Sequence, residues 1–84
     1  MPYQILRNSV CLDQADGAIT FHLAVFGAGK VCRVTSTALL SLGNGQGEAL
    51  SVFEAHRQRI AQRAFSYLSR NLMASGVVLR ALDF

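Results

Sequence analysis

The sequence predicts an α+β fold: an antiparallel β-meander of three strands, a short helix, a long helix packed on one sheet face, and a final strand joining the sheet. Three observations predict it. Residues 18–26, AITFHLAVF, alternate with a period of two, as a strand with one buried face does. Residues 48–71 carry apolar side chains at helical spacing. A short β-branched run, VVL at 77–79, follows a glycine near the end. The chain has 84 residues, enough for one domain and not two, so residues 1–84 are expected to form a single α+β domain.

The first strand is YQILRNSVCLD, with Leu6, Val10 and Leu12 in one phase and Asn8 breaking it. It reads as an edge strand. QADG supplies turn chemistry. In the next strand Ile19, Phe21, Leu23 and Val25 share one face, and Thr20, His22, Ala24 and Phe26 the other. Gly27–Ala28 fits a two-residue hairpin turn with glycine where a positive φ is needed. That turn pairs Phe26 with Gly29, Leu23 with Cys32 and Phe21 with Val34. The returning strand is GKVCRVT.

TSTALLSLG reads as a short helix with Thr35 as its expected N-cap and Gly43 its stop. GNGQG is a flexible connection. The long helix runs from Glu48 to about Asn71 with Leu50, Phe53, Ile60, Ala64 and Leu68 as its buried stripe. ASG ends it, and VVLRALDF is a last strand of about seven residues. Its neighbour in the sheet, the first strand or the third, is left open.

Composition bounds the function. Half the chain, 51%, is hydrophobic and only 15% charged, which excludes a disordered chain and leaves apolar surface for a partner or a second copy. The net charge of +3 permits contact with nucleic acid or an acidic protein and demands neither. Two cysteines, Cys11 and Cys32, are too few for a disulfide framework. The N-terminal segment lacks the pattern of a signal peptide, and no apolar run approaches a membrane span. A reduced, cytoplasmic protein without a membrane contact is the expectation.

The stretch from Gly17 to Ala64 carries an F…V-x-G run before the turn, then V-C-x-V-[ST]-x-x-A-L at 31–39 and L-x-x-F-x-x-H-R-x-x-I at 50–60; VLRALD closes the chain at 78–83. In these motifs, over residues 17–84, the chain resembles the bacterial domain-of-unknown-function family numbered 1488. The matching residues include Cys32, Thr35, Ala38, Leu39, Phe53, His56, Arg57, Ile60 and Asp83. The resemblance implies a small cytoplasmic α+β domain of bacterial origin. It brings no catalytic residues. Some members are labelled transcriptional regulators, which would imply contact with nucleic acid.

Arg57 falls within roughly 20–30° of the apolar centre of the long helix at about 100° per residue. A buried guanidinium there needs a carboxylate. Asp83 on the last strand is the expected partner in a structural ion pair locking helix to strand; a pocket for an anionic ligand is the alternative. Cys11, Cys32, His22 and His56 are zinc-ligand types, but their spacing fits no local zinc motif. A Cys32 nucleophile would need an exposed thiolate, and its place across from Leu23 makes it a small hydrophobe instead. Neither GNGQGE nor GAGK matches a phosphate loop. No metal, cofactor or catalytic residue is expected.

Two surfaces remain. Arg59, Arg63 and Arg70 lie within roughly 40° on the helical wheel, a stripe suited to phosphates or an acidic partner and otherwise a solvated face. The outer sheet face would present His22, Ala24, Phe26, Val31 and Arg33, with no helix left to cover it. The chain is therefore read as a small non-enzymatic interaction module, partnering an unknown protein or itself. The alternative is a nucleic-acid-binding regulator that makes weak DNA or RNA contact through the arginine stripe.

Overall fold

Alternation over residues 18–26 materialises as read, while the helical spacing of the C-terminal half is realised in two helices and not one. The computed structural model describes residues 3–6 and 8–84; Met1 and Pro2, which begin the segment read for a signal peptide, and Arg7 lie outside the described residues. The elements are β1 (Tyr3–Ile5), β2 (Cys11–Leu12), β3 (Ile19–Val25), β4 (Ala28–Val34), α1 (Ser36–Leu42), α2 (Ala49–Ala55), α3 (Arg57–Arg70) and β5 (Gly76–Leu79), then a 3-10 turn at Ala81–Asp83. The sheet order is β1-β3-β4-β5, with β2 also on β3. Every pairing is antiparallel except β4 with β5, which is parallel. A parallel pair needs a long crossover, and the three helices between β4 and β5 supply it. The final strand thus lies beside the returning strand of the hairpin.

One sheet face is the core. Ile19, Phe21, Leu23 and Val25 of β3 meet Cys32 and Val34 of β4 and Leu79 of β5 there, all buried. Leu39, Phe53, Ile60, Ala64 and Leu68 close over them from the helices. Phe21 and Phe53 pack at a tilt with ring centroids 5.3 Å apart. Each such side chain contributes about 1.5–3 kcal/mol by burial. Thr35 caps α1 by accepting from the Ala38 N–H at 3.2 Å. Gly43 stops α1 where a Cβ would come within 2.6 Å of the Gln46 carbonyl.

Four expectations need correction. The hairpin turn is Phe26–Gly27, with φ of 51° and 85°, and not Gly27–Ala28. Both central residues of this type I′ turn need positive φ, and Phe26 holds the strained one while its ring meets Phe65 edge-on at 5.6 Å. Val25 therefore pairs with Ala28 and Phe21 with Cys32. The shift is two residues, one full period, so the side each residue faces is unchanged.

The long helix is two helices. Backbone dihedrals leave the helical range at His56 (φ −113°, ψ 20°), whose N–H is shared between the Val52 and Phe53 carbonyls. The break resets the wheel, so α2 buries Val52 and Phe53 while Leu50 is exposed. The first strand is also split. Asn8 has φ 61°, so Ile5 faces inward before the break and Leu6 outward, while Leu12 packs against the core beyond it. Finally, β5 is four residues long; ALD forms the 3-10 turn, with the Asp83 carboxylate accepting from the Arg80 N–H at 2.8 Å.

Candidate interaction surfaces

The expected Arg57–Asp83 ion pair does not form. Arg57 stands at the first position of α3, its side chain 40% exposed, with its Nη1 3.3 Å from the Glu54 carboxylate. The cause is the break at His56, which leaves Arg57 at a helix end rather than in the middle of a stripe. Asp83 is occupied by its own turn. It lines a crevice with Arg59 and Arg63 instead. An exposed pair one turn apart such as Arg57–Glu54 is worth about 0–1 kcal/mol.

Arg59, Arg63 and Arg70 are exposed as expected. Arg70 reaches Ser66 Oγ at 3.5 Å, and among the described residues none of the three has a carboxylate within 4.0 Å. Arg63 and Arg70 line one crevice with Asp83 between α3 and β5, so the stripe includes one negative charge that the helical wheel alone did not show.

The outer sheet face is open, and register gives its layout. One row crosses the strands as His22, Val31 and Gly76, with Leu6 hydrogen-bonded beside His22 at 2.9 Å. The next row is Cys11, Thr20, Arg33 and Val78. Gln4, Ala24 and Gly29 make a third. Val31 and Val78 are each 48% exposed. Arg33 does not stand free on this face. It lies over Thr20 at 3.4 Å, bonds Asp13 at 3.4 Å and pairs closely with Asp16. The Ala18 N–H, and after it Arg33, hold the Asp16 carboxyl below its ordinary range. Phe26, read as part of this face, sits at the hairpin tip and turns towards α3, 65% exposed. The face is thus apolar at Leu6, Val31 and Val78, with Arg33 neutralised and the exposed Arg80 at the β5 end of the crevice that Val31, Arg33 and Val78 line.

The four zinc-ligand types do not come together: Cys32 is buried and Cys11 exposed on opposite sides of the sheet. Burial pushes the Cys32 thiol up to about 12, which keeps it protonated and unreactive near neutral pH.

One feature escaped the sequence reading. A groove of about 690 Å³ runs between β1 and α3, lined by Tyr3, Gln4 and Ile5 on one side and Arg57, Gln58, Ala61 and Gln62 on the other. The only available signal was the spacing of Gln58 and Gln62, four residues apart beside a small Ala61. Such a triplet is common on helix surfaces and pointed nowhere without the strand opposite. Among the described residues no helix is long and apolar enough to cross a membrane. No protein-family model, curated protein or solved structure matches the chain.

Proposed function

We propose that the protein is a small non-enzymatic interaction module of the reduced cytoplasm that self-associates through its open sheet face. The resemblance to the family numbered 1488 belongs to this proposal and adds no activity to it. One observation carries the reading: Leu6 just past β1, Val31 on β4 and Val78 on β5 leave apolar surface on a sheet face that no helix covers, with His22 between Leu6 and Val31. Arg33 beside it is already paired with Asp13 and Asp16, so a like face can approach without burying that guanidinium bare, and Arg80 stays at the solvent-exposed margin. With strands about 4.8 Å apart and rising about 3.4 Å per residue, and only β3 and β4 reaching seven residues, the sheet spans less than roughly 400 Å² in projection. That falls short of the ~800 Å² per partner of a stable complex, so association is weak and concentration-dependent. Sedimentation velocity over a concentration series tests it. The weight-average mass should rise with concentration and stop rising when Val31 and Val78 are both changed to Ser. A mass independent of concentration rejects the reading.

A second reading rests on Arg59, Arg63 and Arg70, exposed and without carboxylate partners: a regulator that grips nucleic-acid phosphates. Three phosphate contacts give a log–log salt slope of about −2.7 on duplex DNA. Changing the three arginines to Gln should flatten it. Binding that persists unchanged in that variant would remove this alternative.

A further inference from the structure

We infer that the groove between β1 and α3 takes up an extended acidic peptide segment as an added strand on the β1 edge. The inference uses a sheet edge and does not rest on the open face described above. β1 is the outermost strand on its side of the sheet. The Leu6 N–H bonds the His22 carbonyl, and in an antiparallel ladder bonded and non-bonded pairs alternate. Gln4 therefore bonds Ala24, while the N–H and C=O groups of Tyr3 and Ile5 point outward into the groove. Such a row is a template for another strand. Main-chain bonds to it supply affinity, and side-chain pockets supply selectivity.

The opposite wall selects the occupant. Among the described lining residues Arg57 is the only charged one, and Gln4, Gln58 and Gln62 offer neutral donors and acceptors. No carboxylate is among the described residues that line the groove. Arg57 is held only by the exposed Glu54 contact at 3.3 Å, a partner that a peptide carboxylate can displace because such pairs are weak. The chain as a whole carries +3, which attracts an acidic segment before contact. Lengths agree too. Tyr3 stacks on Phe65 with centroids 4.6 Å apart, and Phe65 lies about 12 Å along the helix from Arg57. An extended segment of about four residues spans about 13 Å, so its side chain at one end reaches the guanidinium. Ala61, small and central, leaves room for the backbone between.

Selection of a random dodecapeptide display library on the full chain, followed by titration of an enriched peptide, tests this. Enriched peptides should combine β-forming residues with Asp or Glu. Amide hydrogen exchange at Tyr3 and Ile5 should slow on binding, a readout that a purely side-chain contact would not move. Arg57→Glu should weaken binding about tenfold, and a Glu→Lys peptide should recover it on that variant. Four results would each overturn the proposal: no enrichment, peptides without acidic residues, protection confined to Val31 and Val78, or Tyr3 and Ile5 amides that change with protein concentration alone. The last would mean that the edge pairs with a second copy.

Discussion

The two faces of the sheet share a backbone and differ in almost everything else. Along β3 the residues Ile19, Phe21, Leu23 and Val25 are buried, whereas Thr20, His22 and Ala24 between them stay open or partly open. The helices pack only on the first set. The difference teaches that fold and function separate by a single step along the strand: odd-numbered positions of β3 hold the domain together, and even-numbered ones are free to meet something else.

Neighbouring substitutions on β3 put that separation to its strongest test. Phe21→Ala empties the centre of the core and should cost about 3–5 kcal/mol, read as a lowered midpoint in denaturant titration. His22→Ala, one residue on, should change stability by less than about 0.5 kcal/mol. Equal effects would erase the distinction between the faces.

Gly76 marks where the distinction gives way. It belongs to the outer row with Val31, yet a Cβ there would lie 1.9 Å from the Val31 carbonyl oxygen. Gly76→Ala must push β5 away from β4 and should cost about 1–3 kcal/mol, as overpacking does. A thermal melt unchanged by this substitution would show that β5 pairs more loosely than the register implies.

The two thiols carry the comparison into pH and reactivity. Cys11 on the outer side should react with Ellman's reagent in the native protein, and Cys32 only after unfolding. The unfolded thiol of Cys32 ionises near 9.0 and the folded one near about 12. Below pH 9 both states keep the proton and stability is unaffected. Between those values the unfolded chain loses its proton first, so stability falls as pH rises. Cys32→Ala should remove that alkaline decline; a decline of the same size in the variant would assign it elsewhere.

A small effect is also expected at Arg57, which sits on neither face. Arg57→Ala should shift stability by less than about 1 kcal/mol. A larger loss would mean that the guanidinium has a buried partner after all.

What could be read from the sequence follows from which forces are local. Alternation in β3, the Thr35 cap and the Gly43 stop depend on residues within a few positions, and each stands as read. The turn was misplaced because Phe26 accepts a positive φ that local sterics disfavour, with Phe65, distant in sequence, packed against it. Arg57 was misplaced because the wheel assumes an unbroken helix, and nothing in FEAHRQR announces the change at His56. The pairing of β5 was left open because it depends on close approach at Gly76, a tertiary fact. The β1–α3 groove needed two elements more than fifty residues apart in the chain. The arginine stripe was legible as exposed, but the Asp83 within it was not.

The parallel pairing of β4 with β5 also governs the time course of folding. The β3–β4 hairpin and the capped α1 close over short loops, whereas Val31 meets Gly76 across about 45 residues, a contact whose loop entropy must be met before it contributes. β5 is thus expected to dock after the hairpin and helices have formed, leaving the outer edge of β4 unpaired meanwhile. Substitution at Gly76 would then leave the refolding rate nearly unchanged and accelerate unfolding. For a time during every folding event the nascent domain presents an edge that the finished one conceals, and its yield should fall with concentration during refolding more steeply than its native solubility suggests.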